Sequence, residues 1–147
     1  MCDVCVSYKE KNIIETEYNA HIKRKDRAKT EKQHDKDKGQ AGEVTLLTID
    51  LEAVKVCPYL TASTLYFKTK LNCHNYTVYN LVTQHATCYW FDETASNLTA
   101  STFVNFLLYN LVHHCLPNKL PIIMFSGDCT YQNRNNIMSN ALSAFCV

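Results

Sequence analysis

The sequence lacks a secretory leader: Met-Cys-Asp-Val-Cys carries neither a basic region nor an apolar stretch behind it. No apolar run reaches membrane-spanning length, so no transmembrane helix is expected. An excess of one charge is also missing, and a formal net charge of +1 gives no global argument for a polyanionic partner. Internal repeats and low-complexity tracts are absent, which excludes solenoids and tandem arrays. What remains is a folded protein expected inside the cell, the nucleus included, and not secreted. The eight cysteines fit that compartment. Cys73, Cys88, Cys115 and Cys146 lie in apolar contexts where a free thiol behaves as a small hydrophobe, so no disulfides are expected.

At 147 residues the chain has the length of one ordinary domain. The helical pattern from Asn140 to Val147 shows no stop signal, and a C-terminally truncated domain is therefore expected. Charge divides the chain in two. Ten of the fifteen Lys and Arg residues and eight of the fourteen acids precede Gly39; the remainder is apolar and sparsely charged. Residues 1–42 read as a separate unit, a Cys-x-x-Cys segment followed by a long charged helix. From Glu15 to Lys38 there is no Pro or Gly, and Gly39 and Gly42 provide the stop. Its apolar residues are too few for a buried stripe, so a solvated helix laced with i,i+4 charge pairs is predicted.

Residues 43–147 have a different texture. Val44 to Asp50 is a β-branched, apolar strand ending in a carboxylate. Thr61 to Leu71, after the break at Cys57-Pro58, is open to a short helix or an irregular crossing. His74–Val82 and Ala86–Asp92 form a predicted hairpin. Val104, Leu107, Leu108, Leu111, Val112 and Cys115 recur at helical spacing behind the cap candidates of Ser96–Thr102. The stretch "PIIMFSGDCTYQNRN" is a buried strand, Ile122–Phe125, that stops at Asp128. A last helix is marked by Ile137, Met138, Ala141, Leu142 and Phe145. One sheet is expected, with Val44–Asp50 between the hairpin and Ile122–Phe125. The order of three antiparallel strands, helix, strand and helix is the front of a ribonuclease-H-like α/β fold, whose first two acids would fall at Asp50 and Asp128.

The stretches "TIDLEAVKVCPYLTASTLYFKTKLNCHNYTVYNL", "CYWFDETASNL" and "IIMFSGDCTYQNRNNIMSNAL", together with "CDVCVSYKE", resemble a transposase-derived, ribonuclease-H-like domain of unknown function found in many animal proteins, especially insect ones. The resemblance implies a core in which three carboxylates hold two Mg²⁺ or Mn²⁺ ions for phosphodiester cleavage or strand transfer on nucleic acid. Asp50 matches the first acid. The second would lie in a Ser-Asp-Gly sequence, which here runs Ser126-Gly127-Asp128, and no third acid is identifiable. A remnant of such a domain, inactive as this chain, is the function implied. The alternative is a host-recruited module that binds protein or nucleic acid through its charged helix.

The residues themselves allow two readings at each position. Asp50 and Asp128 offer hard oxygen ligands from neighbouring strands, expected within a two-metal span and with no Arg or Lys closing the pair. Asp128 is equally a turn or cap residue. Asp92, Glu93 and Glu52 read as structural. Arg134 could fork onto a nucleic acid phosphate, whereas the amides of Gln132 to Asn136 read as a helix cap. Cys2 and Cys5 have half a zinc site's spacing, with His21 as a third candidate ligand, set against two free thiols. His34 cannot join His21 on one side of a helix. His113 and His114 read as partners of a helix C-terminus. The oligomeric state has no signal in the sequence.

Overall fold

The computed structural model describes residues 2–57 and 70–145. Helices α1 (Asp3–Lys9) and α2 (Glu15–Gln40) lead into strands β1 (Thr45–Leu51), β2 (Lys55–Cys57), β3 (Leu71–Asn80) and β4 (Ala86–Asp92). Helix α3 (Ala100–Asn110), strand β5 (Ile122–Ser126) and helix α4 (Asn136–Phe145) follow. The segment expected to be a short helix or crossing lies outside the described residues up to 69, and Leu71 opens β3 instead. Cys146 and Val147 lie outside them as well.

Among the described residues, five strands form one mixed sheet. β1 runs antiparallel to β3 and parallel to β5, while β4 occupies the other edge of β3. The strand of Val44 to Asp50 therefore lies between the hairpin and β5, as its pattern predicts. The short strand β2 was not legible in the sequence. It continues β1 along the same edge of β3 after a bulge, since Glu52, Ala53 and Val54 face only His74 and Asn75 between the pairs Leu51↔Tyr76 and Lys55↔Cys73. A bulge of this kind bends the strand and re-aims the residues beside it. Here it begins two residues after Asp50.

Alternation along β1 explains how the sheet is covered. Leu47, Ile49 and Leu51 point to the face shared with Tyr76, Val78, Phe91 and Met124, which packs against Phe103, Val104 and Leu107 of α3 and Met138 of α4. Phe103 and Tyr76 are fully buried and their rings meet at 5.3 Å. Leu46, Thr48 and Asp50 point to the opposite face. That face is covered at Leu46 by the end of α2. A Cβ on Gly39 would lie 2.5 Å from Val82 Cγ2 and 3.7 Å from Leu46, so α2 approaches the sheet at a contact only glycine allows. The charged helix thus docks by its C-terminal end, and Lys32 Nζ sits 5.2 Å from the centre of the Phe125 ring.

Local signals account for the helix ends. Thr99 caps α3 by accepting from the Thr102 backbone N–H at 3.4 Å. The helix does not run on regularly to Cys115 as the spacing suggests; Leu111–Cys115 is a π turn, and a 3-10 turn at Leu116–Asn118 carries the proline. No described helix is long and apolar enough to cross a membrane.

Candidate functional site

Asp50 stands at the C-terminal end of the central strand, exposed, with Thr77 opposite it on β3. The parallel ladder to β5 pairs Thr48 with Phe125 and Ile49 with Ser126. That is the last pair of the ladder, and its register carried one step further sets Gly127, not Asp128, level with Asp50. Asp128 comes one step later, at a bend beyond the end of β5. Its carboxylate forms an ion pair with Arg134. The expectation that no Arg or Lys would close on Asp128 is therefore corrected: six residues on, the chain has turned back and brings the guanidinium to it. Both side chains remain largely exposed, 76% for Asp128 and 67% for Arg134, so solvent screens the pair strongly.

The amide-rich segment behind Asp128 serves its own backbone. Asn135 Oδ1 accepts from the Met138 N–H at 2.8 Å and caps α4, while its Nδ2 donates to Thr130 O at 3.1 Å. Asn133 Nδ2 donates to Gly127 O at 3.1 Å and holds the turn closed. Arg134, the residue considered for a phosphate, is engaged with Asp128. The acids at the end of β4 are also committed. Asp92 Oδ1 accepts from Thr94 Oγ1 at 2.6 Å, Thr94 N at 2.8 Å and Ala95 N at 3.0 Å, and these bonds, the Thr94 hydroxyl foremost, hold its pKa below the usual carboxylate value. Glu93 accepts from Asn72 Nδ2 at 3.0 Å.

The N-terminal unit gathers a second set of groups. Cys2 is the N-cap of α1 and Cys5 lies three residues on, which brings both thiols to one end of the short helix. Glu10 and Lys11 turn the chain, Lys11 with a φ of 60°, and α2 then returns so that Tyr8 stacks on Tyr18 at 3.9 Å and 5°. That stacking brings His21 to the thiols: its Nε2 lies 3.2 Å from Cys2 Sγ and 3.6 Å from Cys5 Sγ. The three ligand atoms all lie within 4.8 Å of one another and form a cluster able to hold a metal ion. The Cys5 backbone N–H, and after it the Cys5 thiol, donate toward Cys2 and lower its pKa, whereas the thiol's bond to Cys2 raises that of Cys5; the Lys25 charge nearby lowers both. A metal held here would require both thiols as thiolates and would release their protons.

The basic residues from His21 to Lys29 are open in sequence to phosphate contact, with a solvated, ion-paired helix face expected in preference. The predicted i,i+4 charge pairs do not form; among the described residues the one ion pair of α2 is Lys38 to Asp35, at i,i+3 and 3.6 Å. The reason lies in the helical wheel. Lys25, Lys29, Lys32 and Lys36 fall within an arc of about 60°, and none of the helix's acids falls on it. The stripe is about 16 Å long at ~1.5 Å per residue. Lys29, Lys32 and Lys36 line a groove of about 330 Å³ with Gln33 and Leu81. The spacing i, i+4, i+7, i+11 was the signal that could have found it.

No family model, no curated protein and no solved structure matches the chain.

Proposed function

We propose that the chain is a remnant of a transposase-like, ribonuclease-H-like domain that binds nucleic acid without cutting it. The observation that carries this reading is the lysine stripe of α2, four cations segregated from every acid on the helix and free of ion pairs among the described residues. Such an array fits a phosphate backbone, which recognises positive charge independently of sequence. Ancestry is supported by the central strand β1, flanked by an antiparallel hairpin and a parallel strand, with an acid at its C-terminal end.

Inactivity follows from the other end of the sheet. Two-metal phosphodiester chemistry needs carboxylates on both strands. Here the ladder register beyond Ile49 and Ser126 sets Gly127 rather than Asp128 level with Asp50, and Asp128 is engaged by Arg134, so Mg²⁺ or Mn²⁺ would meet one carboxylate and water, which is weak ligation for a hard cation. In this proposal Cys2, Cys5 and His21 take a zinc ion. With Zn–S of about 2.3 Å and Zn–N of about 2.0–2.1 Å, a tetrahedral site sets S···N near ~3.6 Å, and the observed separations are 3.2 and 3.6 Å. The ion would tie α1, which buries no residue of its own, to the N-terminal half of α2.

A recruited module that grips a protein through α2 is the alternative, and the absence of acids from the stripe favours the polyanion. A gel-shift and cleavage assay with labelled single- and double-stranded oligonucleotides in Mn²⁺ tests the proposal. Binding without cleavage is expected. Turnover that disappears with Asp50→Asn would overturn the inactivity, and no binding to either oligonucleotide would overturn the nucleic acid reading.

A further inference from the structure

We infer that a second metal site, apart from the Cys2, Cys5 and His21 cluster, lies between the β3–β4 turn and the end of α3, where His85 and His114 chelate a late first-row divalent cation. The two rings come from elements remote in sequence and have their centres 6.1 Å apart. A metal on one imidazole nitrogen lies ~3.2 Å from that ring's centre, given a bond of about 2.0–2.1 Å. Two rings sharing a tetrahedral ion have centres ~5.2 Å apart, against ~6.4 Å for a linear arrangement, so these two exposed side chains must close by roughly 1 Å to share one ion.

Both histidines are presented by built features. On the strand side, Asn80 Oδ1 accepts from Val82 N at 2.9 Å and Thr83 N at 3.0 Å, and Asn80 N donates to His85 O at 2.9 Å, which closes the turn around His85. Gln84 adopts a φ of 60° to complete it. On the helix side the π turn Leu111–Cys115 separates two adjacent histidines. His113 packs on Tyr109 at 4.2 Å, and His114 turns to His85. Turns of this kind are rare and recur at functional sites.

The surrounding cavity decides the occupant. It measures about 250 Å³ and includes Asn80, Asn110, Asn118 and Cys115 beside the two histidines. No Asp, Glu, Lys or Arg lines it among the described residues. Without carboxylates, Mg²⁺ or Ca²⁺ has no suitable cage; without Lys or Arg, an anion has no counter-charge. Neutral imidazoles suit Zn²⁺, Ni²⁺ or Cu²⁺, and amide oxygens and water complete the shell. The Cys115 thiol, held protonated by burial, is not required.

The test uses the full chain carrying Cys2→Ser and Cys5→Ser, titrated with Ni²⁺ by calorimetry. One bound Ni²⁺ is expected to remain. His85→Ala and His114→Ala should each weaken it by at least the ~10–100-fold that loss of an outer-shell partner costs in metal sites, and His113→Ala should leave it unchanged. In the unsubstituted histidine background, Ni²⁺ should broaden the ring NMR signals of His85 and His114 before the others, a readout that does not depend on variants folding. Absence of Ni²⁺ binding, an affinity indifferent to both His85→Ala and His114→Ala, or equal loss with His113→Ala would each overturn the inference.

Discussion

Ile49 and Ser126 stand side by side as the last pair of the parallel ladder of β1 and β5, and that register carried one step on sets Gly127, not Asp128, level with Asp50. Restoring the order tests what this costs. Among the described residues, nothing beyond its chain neighbours lies within 4 Å of a Cβ built on Gly127, so a side chain there meets open space. The double substitution Gly127→Asp, Asp128→Gly is expected to bind Mn²⁺ on the order of tenfold tighter than the natural chain, because ligand charge count tunes hard-cation affinity. Calorimetry reads the gain, and Asp50→Asn should abolish it. Equal Mn²⁺ affinity in the two chains would contradict the register account.

Docking of α2 on the sheet rests on Gly39. Gly39→Ala puts a methyl 2.5 Å from Val82 Cγ2, and overpacking of this kind costs about 1–3 kcal/mol. Val82→Ala should relieve the clash, so the double variant should be more stable than the two single losses added together. Urea unfolding of the four chains measures the coupling. Strict additivity would show that α2 does not bear on Val82.

The N-terminal thiols should differ in reactivity. The thiolate is the nucleophile, and the Cys2 pKa lies below its ordinary value while that of Cys5 lies above it. As pH rises, Cys2 is therefore expected to be alkylated by iodoacetamide before Cys5, with the separation closing once both are ionised. Metal binding releases the thiol protons, so Zn²⁺ affinity should rise with pH across the same range and saturating Zn²⁺ should protect both thiols. Peptide mass mapping of the alkylated chain gives the order. Equal rates at every pH would refute the difference between the thiols, and no protection by Zn²⁺ would refute the metal cluster.

The sheet was legible because β1, β3, β4 and β5 carry β-branched, apolar runs bounded by turn residues. The helices α3 and α4 were legible because Val104, Leu107 and Leu111, and Met138 and Ala141, keep one face apolar. What the sequence concealed was of another kind. The extra residue at Glu52–Val54 has no signature in composition, since a bulge is a matter of register between strands. The pairing of Arg134 with Asp128 depends on a turn closed by Asn133 on the Gly127 carbonyl, a contact between backbone and side chain that no periodicity encodes. The approach of His21 to Cys2 and Cys5 was a matter of how two helices stack through Tyr8 and Tyr18; spacing within either one could not give it. The lysine stripe was present at plain helical spacing, and the interleaved acids masked it because they follow one another in sequence while lying on other sides of the helix.

The most direct test of the central claim is the salt dependence of oligonucleotide binding by the natural chain and by the variant Lys25→Gln, Lys29→Gln, Lys32→Gln, Lys36→Gln. Four phosphate contacts predict a slope of log K against log salt of roughly −3 to −4 on duplex DNA, and somewhat shallower on a single strand. The account predicts that slope for the natural chain and a nearly flat, weak binding curve for the variant. An unchanged slope in the variant, or binding by the natural chain that is insensitive to salt, would contradict it.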